Sequence, residues 1–369
     1  MPAPSLVMQT TYAELVERCA AAAFNESFPE DGTFIQKKVN NRNYWYFQLP
    51  TKEGRAQRYV GPETAELLEQ ISHHKEARDD ERERRALVST LVRSFGLPRP
   101  IPEIGNVIAA LARAGVFRLR GVLIGTVAYQ SYSAMLGTKL PSATLQTGDI
   151  DIAQFMTVSI AVEDKIPPVL NILKAVDQTF RPVPHLHNKQ RTTSYQTKSK
   201  LRVDFLTPNE GPDTDAPQKL PALQTDADSL RFLDFLIYEP EPAVLLHDSG
   251  IYLSVPAPHR YAVHKLIVSR RRPEGVAKRD KDTQQAEALL ELLAQKRPYE
   301  LKSAWHEASK RGPKWRQLVA EGLDQLTPRI RESVLNVVQS KFELSAEEKL
   351  RSYFFSGLFG PSTGGSDLM

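Results

Sequence analysis

Two short runs constrain this chain more than anything else in it: TGDIDIAQF, which carries Asp149 and Asp151, and LRVDFLTP, which carries Asp204. Both are apolar segments of strand length, and a strand turns successive side chains to opposite faces. Asp149 and Asp151 then share one face, with Ile150 and Ile152 pointing the other way. In the second run Arg202, Asp204 and Leu206 share a face, with Val203 and Phe205 behind. The apolar faces can pack on helices, which leaves three carboxylates free to converge.

Clustered carboxylates repel one another unless cations stand between them. Hard oxygen ligands suit Mg²⁺, with Mn²⁺ as the alternative, bridging carboxylates to substrate phosphates. Two such ions can clamp the attacking and leaving oxygens of an in-line displacement at phosphorus. The aspartates therefore point to phosphoryl or nucleotidyl transfer. Gly125-Thr126 points the same way. It ends the apolar run FRLRGVLIGT and precedes VAYQSYSAMLG, which has the pattern of a helix. A strand, a Gly-Thr turn and a helix N-terminus make an anion site, because free backbone N–H groups and the helix dipole both favour phosphate. Glycine lets the backbone approach a ligand closely, and the threonine hydroxyl can hydrogen-bond it.

At Gly125, Thr126, Asp149, Asp151 and Asp204, in that order, the chain resembles the nucleotidyltransferase superfamily with a DNA polymerase β-like core. The resemblance implies metal-dependent transfer of a nucleoside monophosphate from an NTP to an acceptor hydroxyl, with release of pyrophosphate. It implies that Asp149 and Asp151 ligate both metals, that Asp204 ligates the metal at the acceptor, and that Thr126 holds the terminal phosphates. The gap between Thr126 and Asp149 is longer than in the tight form of the motif; GTKLPSATLQ explains it as a surface loop. Downstream, RYAVHKLIVSRRR and KRDKDTQQAEALLELL resemble the helical region of bacterial nucleotidyltransferases of the abortive-infection and toxin branch. There a lysine and a later aspartate complete the nucleotide site, roles that fall here on Lys265 and Asp282. The resemblance runs from Arg118 to Leu293.

The expected fold is therefore α/β: a mixed sheet flanked by helices, with a C-terminal helical domain and a small N-terminal helix-plus-antiparallel-sheet region. LPRPIPE marks the first boundary. The expected division is an accessory region at 1–97, a catalytic core at 98–256, a helical domain at 257–358 and a disordered tail at 359–369. Within the first, residues 11–26 suit a helix with Tyr12, Leu15, Val16 and Cys19 at helical spacing. A small antiparallel sheet follows, with Asn40-Asn41 between two strands. Next comes a helix from Pro62 to about Phe95, whose middle, HHKEARDDERERRA, is expected to be a solvated face. RPVPHLHNKQRTTSYQTKSK suits a long loop or irregular hairpin. RFLDFLIYEPEPAVLLHDSGIYLSVPAP suits a helix end and two strands around Asp248-Ser249-Gly250. From Pro258 onward five helices are expected, at 258–272, 280–296, 299–311, 313–324 and 328–340, punctuated by Pro298, Pro313 and Pro328.

Composition sets limits on partners. The chain has 369 residues, a net charge of only +4 and a single cysteine, Cys19. No global basic field advertises nucleic acid, and neither a disulfide framework nor a cysteine zinc site is available. No stretch approaches the ~20 apolar residues of a membrane span, and the N-terminus lacks the order of a secretory signal. A cytoplasmic protein is expected.

Local clusters matter more. Arg270, Arg271, Arg272, Lys278, Arg279 and Lys281 form the densest basic run; it is either a solvated connection or a contact to the phosphates of an RNA or of the nucleotide. Lys37, Lys38, Arg42, Tyr44, Trp45 and Tyr46 interleave bases and aromatics, which can bind nucleic acid or simply form the core of a small sheet. Together with the resemblance to the toxin branch, they make an RNA, such as a tRNA, the expected acceptor. Asp282 shares the stripe of Ala286, Leu289, Leu290 and Leu293, so its carboxylate faces inward, either as a helix-start charge or as a site residue. Lys265 lies beside Val263, Leu266 and Ile267, a position that is ordinarily solvated. His264 suits packing or exposure, and His185 with His187 lacks a third metal ligand. Two rival readings remain: a non-catalytic nucleic-acid-binding or regulatory protein on the same scaffold, and a nucleotide-sugar transferase using Asp149-Ile150-Asp151.

Overall fold

The computed structural model describes residues 5–27, 33–39, 42–51, 54–73, 81–141, 147–162, 164–209, 211–212, 214–273 and 277–340. The expected tail, the Asn40-Asn41 turn and part of the loop after Gly137 lie outside the described residues.

The larger sheet is short-stranded and mixed. Its strands are β4 (Val122–Ile124), β5 (Asp149–Ala153), β6 (Arg181–Pro184), β7 (Thr192–Gln196), β8 (Arg202–Pro208), β9 (Gln218–Leu220) and β10 (Thr225–Leu230). The order is β4-β5-β8-β10-β9, with the β6–β7 hairpin paired through β7 to β8. β5 runs parallel to β8, and the register places Asp151 opposite Asp204 and Asp149 opposite Arg202. β4 runs antiparallel to β5 and sets Ile124 opposite Asp151. The alternation expected from the two aspartate runs is what the sheet shows. Ile150, Ile152, Val203 and Phe205 are fully buried, each contributing about 1.5–3 kcal/mol, and this anchoring fixes the face on which the aspartates stand.

Helices cover the sheet: α4 (Pro102–Ala114), α5 (Gly125–Met135), α6 (Met156–Ala161), α7 (Val169–Val176) and α8 (Leu233–Ile237), followed by the hairpin β11 (Pro240–Leu245) and β12 (Ile251–Pro256). Then come α9 (Pro258–Arg271), α10 (Ala277–Lys296), α11 (Pro298–Lys310), α12 (Pro313–Leu323) and α13 (Pro328–Gln339). The last five begin within a few residues of the expected positions. A proline stands at the first turn of all but α10, where its missing N–H costs nothing. One continuous hydrophobic core runs from Ile150 and Phe205 through Tyr129 and Tyr261 to Leu290, Leu301 and Val334. At Gly322 a Cβ would stand 2.7 Å from Leu266 Cβ, so α12 approaches α9 as only a glycine allows.

The N-terminal region carries α1 (Leu6–Ser27), a three-stranded antiparallel sheet of β1 (Thr33–Val39), β2 (Arg42–Thr51) and β3 (Gly54–Pro62), then α2 (Ala65–His73) and α3 (Glu81–Ser89), continued by a π-helical turn at Thr90–Ser94. Tyr12, Leu15 and Cys19 of α1 bury against Leu91, Leu97, Val244 and Leu246 in a second apolar cluster.

Several expectations need correction. The helix expected from Pro62 begins at Ala65, because β3 runs to Pro62; its described parts are α2 and α3, and residues 74–80 lie outside the described set. Its charged middle is not wholly solvated: Arg84 is buried, and Nη1 donates to the Ser249 carbonyl at 3.4 Å. The strand in FRLRGVLIGT is confined to Val122–Ile124 because Arg118 turns away to pair with Asp164 at 2.6 Å and to donate to the Tyr59 carbonyl. α6 and α7 were not anticipated.

Candidate active site

Gly125 opens the site. β4 ends at Ile124 and α5 begins at once on Gly125, whose φ is +69°, a left-handed conformation that glycine adopts freely. A Cβ there would lie 2.2 Å from Asp151 Oδ2. The Asp151 carboxylate thus occupies the space a side chain at 125 would need. Burial pushes its pKa up to about 6, and the carboxylates of Asp204 and Asp149 push in the same direction; Lys265 and Lys278 oppose them only in part. This carboxyl carries charge that its surroundings do not neutralise.

The other aspartates have partners. Asp204 Oδ1 accepts from Arg202 Nε at 2.7 Å and from Ser194 Oγ, while Arg202 Nη2 donates to Ser194 Oγ at 2.9 Å. Asp149 Oδ2 accepts from Lys278 Nζ at 3.0 Å, and the Asp149 N–H donates to Thr147 Oγ1 at 3.1 Å.

The C-terminal helices form the facing wall. Lys265 is buried and donates to Asp282 Oδ1; Arg272 Nε donates to Asp282 Oδ2 at 2.6 Å. Burial alone would raise the Asp282 pKa, but the Lys265 and Arg272 cations hold it below the usual carboxylate range. Lys265, assigned above to the nucleotide site although such a position is ordinarily solvated, is buried because an inward carboxylate one helix away compensates its charge. Tyr261 Oη lies 3.0 Å from the Gly125 carbonyl and 2.9 Å from Gln285 Oε1, tying α9 and α10 to the Gly-Thr turn. His264 Nδ1 is buried with no hydrogen-bond partner among the described residues. Burial, with Lys265 beside it, pushes the imidazole down to about 3.

These groups enclose a cleft of about 600 Å³ lined by Gly125, Thr126, Asp149, Asp151, Lys265 and Asp282, among others. Among the described residues, six cationic side chains line it (Arg231, Lys265, Arg271, Arg272, Lys278 and Lys281) against the four carboxylates of Asp149, Asp151, Asp215 and Asp282. Six of the seven expected site residues thus share one cleft. Asp204 does not line it; it stands beside Asp151 on the neighbouring strand, held by Ser194 and Arg202. Among the described residues no three carboxylate, imidazole or thiolate groups stand grouped as a ready metal site. Asp149 and Asp151 are the carboxylates a hard cation could reach from the cleft, and the raised Asp151 pKa fits one, since positive charge there relieves repulsion from Asp149 and Asp204.

The basic run divides. Arg271, Arg272 and Lys278 line the cleft, whereas Arg270 and Arg279 do not. The N-terminal sheet turns its tyrosines inward: Tyr46 and Tyr59 are buried, Tyr44 packs against the same core, and Trp45 Nε1 donates to Glu63 at 3.0 Å. His185 faces Asp228 at 3.3 Å. One missed residue had a sequence signal. Tyr261 precedes Lys265 by one helical turn, so the pair shares a face. Ser194 had none, because only the β7–β8 register brings it to Asp204.

A mixed sheet bearing paired aspartates beside a glycine-started helix, walled by an excess of cations, is the architecture of a nucleotide-handling α/β protein. A family described as nucleotidyltransferase matches residues 102–310, more than half of the sequence, and the chain belongs to that family; it is a transferase enzyme. No curated protein matches it. Among solved structures it is similar to an antigenic nucleotidyltransferase-like protein from Paracoccidioides brasiliensis, at 11% identity across 61% of this chain and 95% of that one, with a TM-score of 0.29. Among the described residues, no helix is long and apolar enough to cross a membrane.

Proposed function

We propose that this protein transfers a nucleoside monophosphate from an NTP to a hydroxyl of an RNA acceptor, such as a tRNA. The acceptor oxygen bonds to the α-phosphorus, the bond from that phosphorus to the bridging oxygen breaks, and pyrophosphate leaves. The observation that carries this reading is the half-buried Asp151 carboxylate beneath Gly125, raised to about 6, in a cleft where, among the described residues, cations outnumber carboxylates six to four. Such a cleft favours a polyanion and leaves room for added positive charge at its acidic end.

The residues take separate tasks. Thr126 and the free N–H groups at the start of α5 receive terminal phosphate oxygens. Lys265, oriented by Asp282, adds a point charge to the same phosphates. Asp149 and Asp151 would hold Mg²⁺ or Mn²⁺, with Asp204 adjacent, and that ion would supply neutralisation of the phosphates and an acidified acceptor hydroxyl. Asp204, kept in place by Ser194 and Arg202, stands ready to accept the acceptor's proton. Tyr261 braces the Gly125 turn.

The test incubates the protein with Mg²⁺, each α-³²P-labelled NTP in turn, total RNA and a protein extract, beside the Asp149→Ala/Asp151→Ala double variant. Label in RNA that disappears in the variant supports the reading. Label on protein bands moves the acceptor to a side chain. Equal labelling by the variant sinks the assignment of these aspartates.

A further inference from the structure

A second basin, of about 550 Å³, opens beside the cleft and shares Asn209, Arg231 and Arg271 with it. The two are therefore continuous. On the far side of the basin stand Arg311, in the turn after α11, and Lys314 and Trp315, in the first turn of α12. None of these three is needed to hold an NTP at Thr126 and Asp149. Yet their chemistry is specialised. Among the described residues, four cationic side chains, Arg231, Arg271, Arg311 and Lys314, line it with one carboxylate, Asp234.

Aromatic and guanidinium groups interleave there. The Phe232 and Trp315 rings lie 4.5 Å apart, edge to face. The Arg271 guanidinium sits 5.2 Å over Phe232, and that of Arg311 sits 5.0 Å over Trp315. Arg311 is held by Asp234 and by Glu307 at 2.8 Å, so its planar group is oriented in advance. Phe232 itself has φ +68° at the entry to α8, a costly conformation for a bulky residue that persists only where surrounding contacts impose it. Cations for phosphates, with an indole and a guanidinium plane for bases, are the groups that bind single-stranded nucleic acid.

We propose that this basin seats the terminal nucleotides of a single-stranded polynucleotide acceptor. Its phosphates lie on Arg231, Arg271 and Lys314, a base lies against the Trp315–Arg311 pair, and the strand's terminal hydroxyl enters the cleft. As an acceptor site it rests on the nucleotidyl-transfer reading, but strand binding can be measured without any transfer.

The experiment measures fluorescence anisotropy of labelled oligouridylate and oligothymidylate of equal length against the full chain, with EDTA and no NTP, over a series of salt concentrations. Arg271→Glu/Lys314→Glu reverses two exposed charges. The expected result is binding by the wild type, with affinity about tenfold weaker in the variant and a log–log salt slope shallower by about 1.4, since each single-strand phosphate contact adds about 0.7. Lys314→Glu alone, at a site outside the cleft, should show about half that change in slope. Quenching of tryptophan fluorescence by the strand should diminish in Trp315→Phe. Tighter binding of the ribo-strand identifies RNA as the source; equal binding leaves the shared phosphate and base chemistry intact. Absence of binding to both strands, or charge reversal that leaves affinity within about twofold, overturns the proposal. Asp149→Ala/Asp151→Ala separates the two readings: strand binding without a wild-type labelling reaction counts against nucleotidyl transfer alone, and labelling without strand binding counts against this basin alone.

Discussion

Replacing Gly125 with alanine tests the central geometry. Two costs can be separated. The first is local: φ of +69° is a left-handed conformation that costs an L-residue about 1–2 kcal/mol. The second is a collision. The new Cβ would lie 2.2 Å from Asp151 Oδ2, at least 0.8 Å inside the 3.0 Å that real Cβ contacts respect (3.0 − 2.2). Asp151 is fixed by pairing with β4 and β8, so relief requires moving a strand or rotating the carboxylate, an overpacking cost of about 1–3 kcal/mol. Together Gly125→Ala should lose about 2–5 kcal/mol of stability and, from a displacement near 1 Å, about a hundredfold in labelling rate. Asp151→Ala removes the colliding oxygen; the remaining Asp151 Cβ lies at an ordinary 3.5 Å. In that background Gly125→Ala should cost only the backbone share. Chemical denaturation of wild type, both single variants and the double variant gives the coupling, expected at about 1–3 kcal/mol. Additivity to within about 0.5 kcal/mol would refute the close approach, as would a Gly125→Ala enzyme that labels at the wild-type rate.

Asp282→Ala strips the carboxylate that Lys265 and Arg272 share and leaves Lys265 buried without it, so the melting temperature should fall by the equivalent of about 3–5 kcal/mol; a change no larger than that of an exposed aspartate substitution counts against the buried pair. His264 remains neutral in the fold down to about pH 3 but protonates near 6.5 when unfolded. The unfolded chain then binds the extra proton, and stability falls as pH drops below 6.5. Because part of the ring's surface stays exposed, the expected loss is about 1 kcal/mol per pH unit rather than the full 1.4. His264→Gln should flatten the melting temperature between neutral and acidic pH, and parallel profiles would contradict the burial argument. Lys278 is 64% exposed where it meets Asp149, so the pair contributes about 1 kcal/mol or less. Lys278→Met should leave the melting temperature nearly unchanged, raise the Mg²⁺-induced stabilisation and raise the KM for NTP; an unchanged KM removes Lys278 from the nucleotide wall.

Much of the site was legible because strand alternation and helix periodicity are local. Ile150, Ile152, Val203 and Phe205 declare a buried face, and the aspartates must then stand on the other. Prolines at 258, 298, 313 and 328 declare helix starts, and Asp282 on the stripe of Ala286 and Leu289 declares an inward carboxylate. What could not be read depends on register and on long-range partners. Arg84 lies in a run of charges, and only the Ser249 carbonyl explains its burial. Lys265 reached the site reading only through resemblance, because its partner Asp282 comes to it only when α10 packs on α9. The tyrosines of the N-terminal sheet could face nucleic acid or a core, and the surface on which the sheet lies decides for the core.

The division of charge explains why both halves of the fold are needed for one site. The sheet supplies carboxylates and the glycine-started turn; α9 and α10 supply Lys265, Arg271, Arg272, Lys278 and Lys281. Either set alone would be self-repelling. Asp151 shows the sheet's share of that cost in its raised pKa, and Lys281 shows the helices' share in a lowered one, from burial first and then from Lys265. Tyr261 holds the two sets in register through the Gly125 carbonyl. The ion pairs lining the cleft differ in kind. Lys265 with Asp282 is buried within the helical wall and persists, whereas Lys278 with Asp149 is exposed and exchangeable. On the proposed reading, a polyanion entering with a divalent cation would replace the second pair, Asp149 helping to hold the ion and Lys278 the phosphates, without disturbing the first.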